Sequence, residues 1–182
     1  MEKDKKIQFN VNPQKIVEII LWFANKKPKI RFHALLKFLF FADIYHINKY
    51  GRPVSGDTYV AMQYGPVASL TYDILKKESL AIELFESADC LAFDIDKDNS
   101  ITAKREATVD KLSDSDVEAL EYAFKKYAEE NFRSLTDITH SHLAWTKARE
   151  QGGNNPTIEF EDMIDDVNIK EDLKENSGYI KF

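Results

Sequence analysis

Asp43 and His46 stand three residues apart in Leu35–Ile47 (LLKFLFFADIYHI), the most apolar stretch of the chain. On a helix that spacing puts both side chains on one face. With His140 or His142 they offer nitrogen and oxygen ligands of the kind that hold zinc or another divalent ion. One reading is therefore a metal-dependent hydrolase using Asp43, His46 and His140. Two ligands on one helix are also what chance supplies. The simpler reading has Asp43 accepting hydrogen bonds from backbone or tyrosine groups, with His46 at a rim, because a buried carboxylate needs a partner but not a metal. His140 and Trp145 read first as a local packing pair. We expect no metal, no cofactor and no catalytic residue.

Other chemistries find less support. Asp94-x-Asp96-x-Asp98 imitates the opening of a calcium loop, but Asn99 replaces the glycine at its sixth position and Arg105 the glutamate at its twelfth. An ordinary acidic turn explains it. Gly51, Gly56 and Gly65 match neither a phosphate-binding loop nor a dinucleotide fingerprint, and there is no G-x-S-x-G elbow. Cys90 is the only cysteine, which excludes an intrachain disulfide and a thiolate cluster. Beside Leu91 and Phe93 it reads as a small core residue.

The 182 residues suit one domain, and 43% hydrophobic with 12% aromatic residues can build a sizeable core. A net charge of -6 argues against non-specific nucleic-acid binding and against an anionic membrane surface. The acidic run Glu159–Asp166 reads first as a solvated face and second as a site for a basic partner. The amino terminus lacks the apolar core of a signal peptide, and Ile16–Ala24 is too short to span a bilayer, so a cytoplasmic protein is expected.

The elements that would position these residues follow from periodicity and punctuation. Asn12-Pro13 opens a first helix, which Lys26-Lys27 and Pro28 end. A second runs from Arg31 to Tyr50; apolar on nearly its whole circumference, it must be central. Gly51 fits the left-handed position after it and Pro53 makes the stop firm. Thr58–Met62 reads as a short strand, after which Gly65-Pro66 predicts the start of a helix carrying Val67, Leu70, Ile74 and Leu75. Cys90–Ile95 and Ser100–Ala103 read as a hairpin. Ser115 and Glu118 offer a capping box, and Ser134 with Asp137 a second cap. Trp145 begins a helical piece ending at Gly152-Gly153, and a last helix is placed around Glu161–Asp166. The expected fold is α+β, mostly α-helical: a single domain packed around a central buried helix, with a small β-sheet or hairpin. The strand between the second and third helices is too long a connection for a helix-turn-helix, so direct nucleic-acid binding is not expected.

Several of these motifs occur in an order that resembles one family. Phe41-Ala-Asp43 is followed by His46, then by Gly51-x-Pro53-Val54, the tyrosine strand Thr58–Met62 and Tyr64-Gly-Pro-Val67. Leu135…Thr139-His140…Trp145 completes the pattern, over about Val17–Gly152. The order is similar to that of the Panacea domain, the SocA-like antitoxin or phage-associated GepA domain. The resemblance implies residues 1–160 as the antitoxin domain and 161–182 as an acidic helix or tail, part of the same domain or frayed. It implies an antitoxin that neutralises a cognate protein toxin, encoded by a neighbouring gene, by direct binding. Some relatives look like adaptors that deliver the toxin to a Clp-type protease. Others carry an added helix-turn-helix domain ahead of the core; this sequence has no room for one there, so operator binding is not expected. The family brings no catalytic residues with it. Arg52, Tyr64, Gly65, Pro66 and Tyr72 are the expected toxin-binding residues, being turn residues and aromatics on loops held by rigid helices. Phe41, Asp43, His46, Gly51, Pro53, His140 and Trp145 are expected to support the scaffold.

Overall fold

A computed structural model describes residues 6–78 and 92–176. The first helix, α1 (Pro13–Lys26), starts where Asn12 accepts a hydrogen bond from Lys15 N, with proline in its first turn. Its buried face is wider than the Ile16–Ile20–Phe23 stripe and takes in Glu18, Leu21 and Trp22. After a two-residue strand, β1 (Ile30–Arg31), helix α2 (Phe32–Tyr50) crosses the middle of the molecule and ends at Gly51, which adopts φ 71°. Nearly every side of α2 is buried, as a helix without a polar face requires.

Strand β2 (Tyr59–Met62) turns back through Gln63-Tyr64 into β3 (Gly65–Ala68), and helix α3 (Ser69–Lys76) follows. Gly65-Pro66 therefore opens a strand and not a helix. The strand accepts a proline because β3 lies at the edge of its sheet, whose order is β3-β2-β6, with β6 at Thr157–Ile158. Asp57 reaches α3 from outside: its carboxylate accepts Leu70 N at 3.0 Å, Thr71 N at 2.8 Å and Thr71 Oγ1 at 2.8 Å. It thereby satisfies N–H groups of the first turn that no helix can satisfy for itself.

The second sheet has the order β1-β5-β4, from β4 (Phe93–Ile95) and β5 (Ser100–Ala103). This is the expected hairpin, joined by a third strand. The beginning of its first arm, Cys90 included, lies outside the described residues. Helix α4 (Asp114–Tyr127) packs along α2. Its capping box is Ser113 with Asp116, two residues before the expected pair. That frees Ser115 and Glu118 for contacts with α2. Helix α5 (Phe132–His140) is capped by Asn131, not Ser134, and α6 (Leu143–Glu150) by His142, three residues before Trp145. Ile158 and Phe160 are buried as expected, but the last helix, α7, spans Val167–Asn176, after a 3-10 turn at Phe160–Asp162. Among the described residues there are seven α-helices and two small antiparallel sheets, an α+β fold that is mostly helical.

Asp43 is 0% exposed. Its carboxylate accepts from Ser55 N at 2.8 Å, from Tyr59 OH at 2.7 Å and from Ser55 Oγ. Burial pushes its pKa up and the three donors pull it back, leaving it at about 6. Asp43→Ala strands these donors in the core and should cost about 3 kcal/mol in urea unfolding. Asp96→Ala, at the exposed β4–β5 turn, should leave the unfolding midpoint close to that of the wild type.

Candidate functional site

The residues that suggested a metal site face different partners. Asp43 is enclosed by Ser55 and Tyr59. His46 is buried, not at a rim, and both ring nitrogens are used. Nδ1 lies 2.6 Å from Arg52 O, which can only accept, so Nδ1 carries the proton and Nε2 accepts from Ser115 Oγ at 3.0 Å. His140 stacks on Trp145 with ring centroids 3.8 Å apart, the packing pair expected of them. His142 Nδ1 accepts from Ala144 N. Among the described residues no three His, Cys, Asp or Glu side chains are grouped to hold a metal ion. The three carboxylates of the β4–β5 turn also have ordinary partners: Asp94 pairs with Lys104, Asp96 with Lys29 and Ser100, and Asp98 with Ser100 and Arg31. No described helix is long and apolar enough to cross a membrane.

An open groove of about 380 Å³ lies at the amino-terminal end of α2, between the β2–β3 hairpin, α3 and α5. The turn and strand start of the hairpin supply Tyr64 and Gly65, and α3 supplies Tyr72. Phe132, the first residue of α5, stands opposite. Tyr64 and Phe132 are each 53% exposed, and their rings meet edge to face at 5.5 Å. His33 stacks beneath Phe132 at 4.0 Å and sets Nε2 3.1 Å from Thr136 Oγ1. Burial, with Lys37 nearby, pulls its pKa down to about 4, so the imidazole is neutral.

The floor of the groove is Lys37, 1% exposed, whose Nζ donates to Pro66 O at 2.8 Å. Burial alone lowers its pKa to about 7. Gly65 makes room for it. A Cβ there would lie 2.7 Å from Lys37 Cε and 2.5 Å from Thr139 Oγ1, on a backbone with φ +103°. Both the space and the dihedral call for glycine.

Of the expected binding residues, the fold gathers Tyr64, Gly65 and Tyr72 here, with Pro66 behind them as the acceptor for Lys37. Arg52 lies beyond the far end of α2, a helix ~28 Å long. It bonds Asp116 at 2.9 Å and Ser113 Oγ at 3.1 Å. Lys37, His33 and Phe132 were not among the expected site residues. Lys37 had a visible signal, as the only lysine in Leu35–Ile47, but His33 and Phe132 meet only through a contact between residues 99 positions apart.

A family model described as the SocA-like antitoxin, Panacea domain, matches residues 35–146. The chain belongs to this family. No curated protein and no solved structure matches it. The matched span runs from the first turn of α2 into α6, so the Panacea domain includes the hairpin, α3 and α5 walls of the groove. The family gives the protein a toxin–antitoxin role in general terms.

Unfolded, Lys37 holds its proton up to the ordinary lysine range; folded, it loses it at about 7. Between those values the unfolded chain binds more protons, so stability rises with pH and the cost of burying the ammonium is felt in full below pH 7. Lys37→Met should therefore raise Tm by about 5 °C at pH 6 and by less at pH 9. Gly65→Ala should lower stability by about 2–3 kcal/mol, read by urea unfolding.

Proposed function

We propose that this Panacea domain neutralises a cognate protein toxin by binding it directly, with the Tyr64–Phe132 groove as the docking face. The observation that carries this reading is the pair of half-exposed aromatic rings standing over a pocket with an apolar wall and a buried lysine. Interface energy concentrates in such aromatic anchors, set in a contact of about 800 Å² per partner. Tyr64, Gly65 and Tyr72 belong to this face, Pro66 shapes it from behind, and Arg52 is read as scaffold because its guanidinium is committed to Asp116. The partner is taken to be the product of a neighbouring gene, met in the cytoplasm.

A binding role fits better than a catalytic one, since Asp43 and His46 have their polar atoms engaged inside the protein and no three His, Cys, Asp or Glu side chains are grouped among the described residues. Delivery to a Clp-type protease would call for a second open face, and an open cleft of about 460 Å³ lies between Tyr45, Lys49, Tyr122 and Tyr127. Tyr45 stacks on Tyr122 at 4.2 Å, Lys49 lies over the rings of Tyr45 and Tyr50, and the hydroxyls of Tyr45 and Tyr50 both donate to Glu118.

Co-expression with the neighbouring gene product, followed by affinity capture and a growth-rescue assay, tests the proposal. Wild type should co-purify with the toxin and restore growth. Tyr64→Ala and Phe132→Ala should each weaken binding by about 30-fold or more, with only a modest fall in Tm because each ring is already about half in solvent. Tyr122→Ala should bind as wild type does. If neither groove variant weakens the complex, the docking face lies elsewhere.

A further inference from the structure

Lys37 is the one fully buried ionisable side chain among the described residues without a counter-charge or a full set of hydrogen bonds; Glu161, half-buried, has one carboxylate oxygen bonded by Ile7 N and the other without a partner. Glu18 is held by Arg105 at 2.6 and 3.0 Å and by Thr108 N at 2.7 Å. Asp116 has Lys15 and Arg52, each at 2.9 Å. Asp43 and Asp57 accept three hydrogen bonds apiece. Lys37 has a single carbonyl, Pro66 O, for three N–H groups, and no carboxylate among the described residues reaches it. An ammonium buried in this way is costly unless something supplies the missing charge.

The groups facing Lys37 do not supply it. From its own helix comes His33, neutral and turned to Thr136. From α5 comes His140, whose Nε2 is buried without a hydrogen-bond partner; Asp137 of that helix is largely exposed and lies near Arg133. The hairpin and α3 present the neutral phenols Tyr64 and Tyr72. At the mouth, Asp98 is bound to Ser100 Oγ at 2.7 Å and lies 3.4 Å from Arg31. We propose that the groove captures an acidic side chain of the bound toxin on the Lys37 ammonium, between the Tyr64 and Phe132 rings. This rests on the groove being the toxin-binding face.

Charge and shape both favour that occupant. A free phosphate would be held best by several donors, whereas Lys37 offers one ammonium among apolar walls, which suits a single carboxylate carried on an apolar segment. Low polarity around the pair strengthens its attraction, and a charge-assisted hydrogen bond would use the idle N–H groups. The free lysine, being largely neutral above pH 7, must gain a proton when a carboxylate arrives.

Titration calorimetry of the intact protein with its toxin at pH 8, in buffers of different ionisation enthalpy, reads that proton. Wild type should take up a proton on forming the complex, with the uptake falling as the pH is lowered. Lys37→Met should take up none and should bind about tenfold more weakly at pH 7. Lys37→Gln, which keeps a donor for Pro66 O, should match it, so that loss of the carbonyl contact is not mistaken for loss of charge. One acidic residue of the toxin, changed to its amide, should weaken binding to wild type but not to Lys37→Met. A complex that forms without proton uptake, or whose uptake survives Lys37→Met, overturns this inference and leaves the antitoxin reading standing. Absence of any complex overturns both.

Discussion

The fold depends on a carboxylate in the wrong solvent. Helix α2 is buried all round, so Asp43 cannot turn to water, and the segment that follows α2 has to come back to satisfy it. Ser55 brings a backbone N–H and a hydroxyl, and Tyr59 brings its phenol from the start of β2. That closure fixes where the chain lies between Gly51 and Tyr59. Asp57, two residues beyond Ser55, is thereby placed to collect the first N–H groups of α3. One desolvated charge thus sets the position of a loop, a hairpin and a helix in turn. Ion pairs tie α1 to the rest by the same logic, its Glu18 to Arg105 and its Lys15 to Asp116 of α4.

Local signals in the sequence were read well where one signal dominated. The limits of α2, its left-handed Gly51, the Asn12 cap and the β4–β5 hairpin all follow from residues within a few positions. Backbone and tyrosine donors were also the expected types of partner for Asp43, though Ser55 and Tyr59 themselves stand 12 and 16 positions away. Reading failed where two local rules competed. Gly65-Pro66 suits a helix start as well as an edge strand, and only pairing with Tyr59–Met62 decides between them. Ser113 and Ser115 are both good cap residues, and the winner is the one whose partner, Asp116, must also meet Lys15 and Arg52. His46 was placed at a rim because nothing nearby in sequence reveals that α4 covers it. The candidate site divides in the same way. Tyr64, Gly65 and Tyr72 lie close together in sequence and were found, while Phe132 and His33 come from distant segments.

Polar side chains on the inward elements fall into two groups. Most of those that hold the architecture are closed, matched to donors or counter-ions. Lys37, at the floor of the groove, is left incomplete, as are His140 Nε2 and, elsewhere, one carboxylate oxygen of Glu161. A protein of this size tolerates few such defects, because each costs a noticeable share of a marginal stability. Lys37 lies beneath the two most exposed aromatic rings among the described residues, at the face proposed for docking.

Trp145 gives this arrangement an optical consequence. Its indole N–H donates to Met62 O at 3.2 Å, at the end of the strand that leads into Tyr64, and its ring lies flat on His140. The other tryptophan, Trp22, is packed in the core against Phe23 and Phe124. One indole therefore touches both the hairpin and the imidazole, and the other is packed away from both. Emission from Trp145 reports on the groove wall, with Trp22 as the constant background, so occupancy can be followed without attaching a dye.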